Sequence, residues 1–189
     1  MNETVIFFVT ILIVVLILGV GIPISISNNI IRLSRLCDES WSGIDVVLKR
    51  RHDLIPNLIE CVKGYMAHEQ DVLTKVIALR DEAVQAHGSA GVVAAERALV
   101  PALSGLFVRA EAYPDLKSSA NFLQLQEELV NTEDRIAAAR RFYNNNVRSF
   151  NVAIESFPGS MLRGNRMPKE FFEVEESGIR APVNVTFAN

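Results

Sequence analysis

Imidazole both ligates metals and moves protons near neutral pH, so His52, His68 and His87 are the first places to look for chemistry. A di-metal site in a helical bundle needs Glu-x-x-His on two helices plus two further carboxylates, so that side chains one turn apart face one cage. The residues three before these histidines are Lys49, Tyr65 and Val84, and that spacing is absent. His68-Glu69 is followed by Gln70, Asp71 and Val72, which excludes the His-Glu-x-x-His pattern of zinc proteases. Cys37 and Cys61 are the only cysteines, with no second pair to complete a thiolate site, and they read as reduced packing residues on helices. Gly-x-Ser-x-Gly, the Walker phosphate loop and Gly-x-Gly-x-x-Gly are all missing. The adjacent carboxylates Glu127-Glu128 and Glu175-Glu176 point about 100° apart on a helix and read as solvated faces. No catalytic residue, metal or cofactor is expected.

Three polar groups are less easily dismissed. Arg50, Arg51, His52 and Asp53 cluster just before Pro56, and Arg51 falls near the phase of an apolar stripe, where a cation must find a partner. Glu128, Glu133 and Asp134 are the candidate partners; a site for a protein partner or a lipid head group is the functional alternative. Asn144, Asn145, Asn146 and Asn151 interrupt the best helical stripe although Asn is a mediocre helix former, a use expected to fix register between helices rather than to bind a ligand. Tyr113, Pro114, Asp115 and Lys117 form a tight turn, because a proline biases the preceding residue away from helical dihedrals.

The elements that must position these residues are helices. Residues 5–26 carry no charge, and at 1.5 Å per residue such a run matches a hydrocarbon core of roughly 30 Å. Only Asn2, Glu3 and Thr4 follow the initiating methionine, unlike the positive leader of a cleaved signal peptide, and Arg35-Leu36 before Cys37 do not make a lipidation site. Arg32 and Arg35 follow the run, with Lys49-Arg50-Arg51 beyond, so the expected topology is single-pass with the N-terminus outside and the remainder cytoplasmic.

Apolar residues then recur every three or four positions from Ile30 through Leu48, Ile55, Val62 and Val76 to Leu79. This predicts one long helix continuous with the anchor, kinked around Leu54-Ile55 by Pro56 rather than looped there, and stopped by the Gly-rich residues 86–91. A second, bent or weak helix follows over Val92 to Tyr113, with Pro101 and Gly105 inside it. The third runs from about Ser119 to Phe157, where Phe122, Leu129, Ile136, Tyr143, Phe150 and Phe157 mark a coiled-coil-like seam. After Pro158-Gly159 the tail is expected to be irregular and partly docked through Phe171 and Phe172, with a strand-like alternation over residues 183–187. The expected fold is therefore all-α: an anchor at residues 1–27, a long antiparallel bundle at 28–158 (three long helices, or four if the first breaks at Pro56), and a tail at 159–189.

Residues 50–58, Arg-Arg-His-Asp-Leu-Ile-Pro-Asn-Leu, followed by Val62-Lys63-Gly64-Tyr65 and His68-Glu69, resemble the signature of the LemA family. The likeness continues in order through residues 111–117, Asn121-Phe122, residues 132–136, Tyr143-Asn144, Phe150-Asn151 and Phe157-Pro158. It covers Arg32 to Pro158; Pro101, the valine-rich start of the second helix and the tail depart from it. The resemblance implies a single membrane helix and a four-helix antiparallel bundle, and brings no reaction, cofactor or catalytic residue.

The slightly negative net charge and the scatter of basic residues exclude the footprint of a nucleic-acid binder. The expected function is a membrane-anchored interaction or scaffold protein, embedded in the bilayer through residues 5–26 and engaging a protein partner or a second copy. Two alternatives follow from other residues: a metal-dependent or hydrolytic enzyme built on His52, His68 and nearby acids, and a bundle relaying signals through the junction at Asn28-Asn29.

Overall fold

A computed structural model describes residues 3–173. Among them every regular element is helical: α1 (Glu3–Lys63), α2 (Gln70–Gln85), α3 (Gly88–Ala110), α4 (Pro114–Lys117), α5 (Ala120–Glu155) and α6 (Gly159–Leu162). The strand-like alternation at residues 183–187 and the Glu175-Glu176 pair lie outside the described residues.

The apolar run and the first soluble helix are one element, since α1 continues without a break through Pro56, whose ring is exposed. The helix expected to reach residue 85 instead stops at Lys63. Gly64 weakens the helix by about 1 kcal/mol relative to alanine, and the amides of Tyr65 and Met66 both turn back onto the Val62 carbonyl at 3.0 and 2.9 Å. Leaving the helix buries Met66 completely. The apolar phase runs on past this turn because α2 presents its own stripe, Leu73, Val76 and Ala83, so periodicity alone did not reveal the break. The expected Gly-rich loop shrinks to Ala86 and His87: Gly88 opens α3 with φ +73°, the left-handed region that favours glycine. α3 runs through Pro101 uninterrupted, and the turn around Asp115 is a single helical turn pinned by fully buried Leu116.

The described residues divide into two compact units, 3–51 with 129–171, and 52–128 with 172–173. In the first unit α1 and α5 run in opposite directions. Leu36 meets Asn146, Trp41 meets Tyr143 and Arg51 meets Glu133, so positions descend along α5 as they ascend along α1. Ile44, Leu48, Ile136, Val147, Phe150 and Ile154 are buried there. In the second unit α2 packs on α3, Leu73 and Val76 of α2 and Leu99, Leu103 and Leu106 of α3 are buried, and the rings of Phe107 and Phe122 lie tilted at 52° with centroids 6.1 Å apart.

Among the described residues two helices are long and apolar enough to cross a membrane. One is the start of α1, where the apolar window is wholly unburied; the other is α3, which buries part of its length within its own unit.

Candidate functional site

In α1 the spacing 44, 48, 51, 55, 58, 62 places Arg51 on the buried line, with His52 about 100° around on the line 48, 52, 55, 59. Arg51 and His52 are accordingly buried, and Arg50 and Asp53 are exposed. In the first unit Arg51 Nη1 donates to Glu133 Oε2 at 2.7 Å, the partner being one of the three acids expected. Burial pushes the Arg51 pKa down while the Glu133 carboxylate pulls it back up. The guanidinium thus enters the core with its charge answered by a carboxylate whose side chain is half in solvent.

The second unit holds a pair that sequence reading missed. His52 Nε2 lies 2.7 Å from Glu96 Oε1, with the side chains only 8% and 2% exposed. The contact requires a proton between nitrogen and oxygen, the arrangement that an acid–base dyad would use. Both groups are walled in by the core, and His68, the other histidine of the enzyme alternative, is exposed beyond the end of α1. Among the described residues no group of three or more His, Cys, Asp or Glu could hold a metal. Glu96 was legible in principle: 92, 96, 99, 103, 106 is a cleaner stripe on α3 than one drawn through Ala95, and it runs a carboxylate into the core.

Above that pair, Arg80 of α2 donates its Nε–H to the His52 carbonyl at 3.0 Å. The His52 carbonyl is the acceptor that the amide four residues later would take in an unbroken helix. That residue is Pro56, which has no N–H. Arg80 therefore supplies this carbonyl with the donor that Pro56 lacks, inside a helix that continues through the proline.

In the first unit the chain after α6 turns at residues 164–165 and returns as an irregular strap held through its main chain. Asn151 donates Nδ2–H to the Lys169 carbonyl and accepts the Lys169 amide on Oδ1, both at 2.9 Å. Tyr143 donates its hydroxyl to the Glu170 carbonyl at 3.0 Å, and Lys169 Nζ pairs with Asp38 while lying 5.9 Å from the Phe150 ring centroid. Asn151 thus ties down the tail rather than setting register between helices; the reason is that its carboxamide matches the backbone N–H and C=O of a single residue, Lys169. Asn146 does reach across to α1, at the Leu36 carbonyl, 3.4 Å away, and Asn144 is half-buried. Burial raises the pKa of Tyr143, with Cys37, Asp38 and Glu170 adding to it. Burial also raises the Cys37 thiol, opposed by Lys169. Both cysteines are free.

Tyr113 is half-buried, and Pro114, Asp115 and Lys117 are exposed around Leu116, apart from all of these pairs. Of the two tail aromatics, Phe172 is buried in the second unit and Phe171 is exposed. Arg97 there donates to the Glu173 carbonyl at 3.2 Å.

The family model described as the LemA family matches residues 40–187. The chain belongs to the LemA family. The match takes in the Arg51–Asp53 segment, Glu96, Asn151 and the strap, so the likeness extends past Pro158, where the resemblance was expected to fade. Similar curated proteins include the magnetosome protein MamQ of Magnetospirillum gryphiswaldense, 26% identical over 70% of this chain and 59% of that protein. The magnetosome protein MamQ 2 of Paramagnetospirillum magneticum is 24% identical over 71% and 59%. Protein LemA of Metamycoplasma hominis is 28% identical over 69% and 60%. The chain thus spans about three-fifths of the length of these relatives.

Proposed function

We propose that this LemA-family chain is a single-pass, membrane-tethered interaction protein that works by binding a protein partner or a second copy rather than by catalysis. In this reading residues 5–26 cross the bilayer, the N-terminus lies outside, and an antiparallel helical bundle stands on the cytoplasmic side. Arg32 and Arg35 just beyond the apolar run support that orientation.

One observation carries the reading. On α5 the buried stripe Leu129, Ile136, Tyr143, Phe150 occupies one side, while Val130, Phe142 and Val152, 55–60% exposed, fall on the other within an arc of roughly 120°. A solvated bundle helix has its large apolar residues on the core side; a second apolar set on the outward side suits a protein surface. The polar groups Arg51, His52, Asn151 and Tyr143 are meanwhile engaged in holding the chain's own elements.

The test is intact-complex mass measurement of the full-length protein purified gently into nanodiscs with native partners retained. A defined hetero-complex or homo-oligomer that dissociates in the Val130→Glu, Phe142→Glu variant is expected. A monomer that carries a bound metal or small molecule would overturn the reading.

A further inference from the structure

The tip of the first unit lies beside the apolar end of α1. Because α1 and α5 run in opposite directions, the C-terminal end of α5 is its anchor-side end. A Cβ placed on Gly159 would sit 3.7 Å from Ile30 Cδ1, which puts α6 alongside Ile30. Ile30 is four residues past Ile26, roughly 6 Å along a helix axis. The interfacial layer on each side of a bilayer is about 5–7 Å thick, so Gly159 packs at head-group depth if residues 5–26 span.

The Asn151–Lys169 pairing closes the base of the loop between those residues. Three of its large apolar side chains are almost fully exposed: Phe157 at 80%, Met161 at 77% and Met167 at 74%. Charge points the same way. Residues 27–37 and 156–168 contain four charged residues, Arg32, Arg35, Arg163 and Arg166, and all are arginine. Glu155, at the end of α5, is the one acid inside the closed loop. Exposed apolar side chains in one loop with Arg163 and Arg166 match an anionic bilayer surface, into which the former insert while the guanidiniums stay among phosphates.

We infer that the loop between Asn151 and Lys169 is a second membrane contact, which inserts Phe157, Met161 and Met167 into the interface of the leaflet from which α1 emerges and pairs Arg163 and Arg166 with anionic lipid. This rests on the anchor reading above. Two contacts, one through α1 and one through this loop, would hold α1 at a set rotation against the membrane, which a single helix does not.

The test uses full-length protein at one chain per nanodisc, in phosphatidylcholine with and without phosphatidylglycerol, and bromine quenchers placed high on the acyl chains or near their ends. Trp41 is the sole tryptophan. It lies fifteen residues past Ile26, roughly 22 Å along α1, and serves as the internal unquenched reference. In Met161→Trp, at an exposed position, the added indole is expected to emit at shorter wavelength and to lose intensity to the shallow quencher, more so with phosphatidylglycerol. Arg163→Gln with Arg166→Gln should remove the phosphatidylglycerol dependence. Val15→Trp tests the anchor separately through the deep quencher. Quenching at Val15→Trp but none at Met161→Trp would overturn the inference and leave the anchor reading standing; none at Val15→Trp would overturn the anchor reading and this one with it. A blue-shifted but unquenched indole at Met161→Trp would assign the loop to protein contact and likewise overturn the inference.

Discussion

If Arg80 stands in for the amide that Pro56 lacks, its value to the fold depends on which residue occupies position 56. Arg80→Ala removes a charge-assisted bond to the His52 carbonyl in a part-buried setting, and a hydrogen bond to a charged group contributes about 1.5–3 kcal/mol. In Pro56→Ala the new amide donates to the same carbonyl, so that acceptor is served with or without Arg80. The cost of Arg80→Ala should then fall to about 1 kcal/mol or less, leaving a coupling of about 1–2 kcal/mol between positions 56 and 80. Terms common to both backgrounds cancel in the cycle, including the loss of the Arg80–Asp81 pair, 2.9 Å long, and the general gain in helix propensity on replacing proline. The measurement is urea unfolding of the four full-length proteins in one mild detergent, followed by helical circular dichroism. With a slope of about 2 kcal/mol per molar urea, a 2 kcal/mol loss moves the midpoint by roughly 1 M. Equal losses in both backgrounds, within about 0.3 kcal/mol, would refute the idea that the guanidinium serves this carbonyl.

Four other outcomes follow from the same geometry. A Cβ on Gly159 would lie 1.9 Å from the Ala153 carbonyl oxygen, so Gly159→Ala should cost about 1–3 kcal/mol through forced movement of backbone, read as a lowered unfolding midpoint. Asn151→Ala should release the strap, seen as faster hydrogen exchange at the Lys169 amide, whereas Asn151→Asp keeps the acceptor for that amide and should retain part of its protection. Glu96→Leu should be tolerated better with His52→Leu than alone, because a well-packed apolar pair substitutes for a buried hydrogen-bonded one more readily than half of it does; a thermal-unfolding series reads this. For pH, burial raises the Tyr143 pKa, so the neutral phenol is favoured in the fold: its contribution is complete below the ordinary tyrosine value and is lost as pH rises through the raised one. Tyr143→Phe should remove an alkaline component from the ultraviolet titration above that ordinary value and flatten stability there.

The helical class and the apolar N-terminal run were legible because both are local: a 3.6-residue period and an uninterrupted uncharged stretch need only neighbouring positions. The helix α5 is legible nearly to its ends, from Ser119 to Phe157 against Ala120–Glu155, but Phe157, expected on its apolar seam, falls beyond the helix and is exposed. The end of α1 was misplaced by about six turns because α2 continues the same apolar phase after Gly64, and periodicity reports what a residue faces rather than whether the backbone between two faces is unbroken. Arg51 on the buried line demanded an acid, and three were nominated; only packing of α5 on α1 could choose Glu133. Glu96 sat in an apolar stripe in plain view, but its partner His52 lies 44 residues away, and no local pattern links them.

The sequence by itself therefore determined that this protein is helical, that it carries a span-length apolar helix, and that it belongs with LemA proteins, since composition, period and ordered motifs are properties of the chain alone. Tertiary structure decided which polar side chains meet: Arg80 with the carbonyl that Pro56 leaves open, His52 with Glu96, and Asn151 with the backbone of Lys169. Those pairings are set by which helix faces converge, and burial makes each of them necessary only after the faces have met.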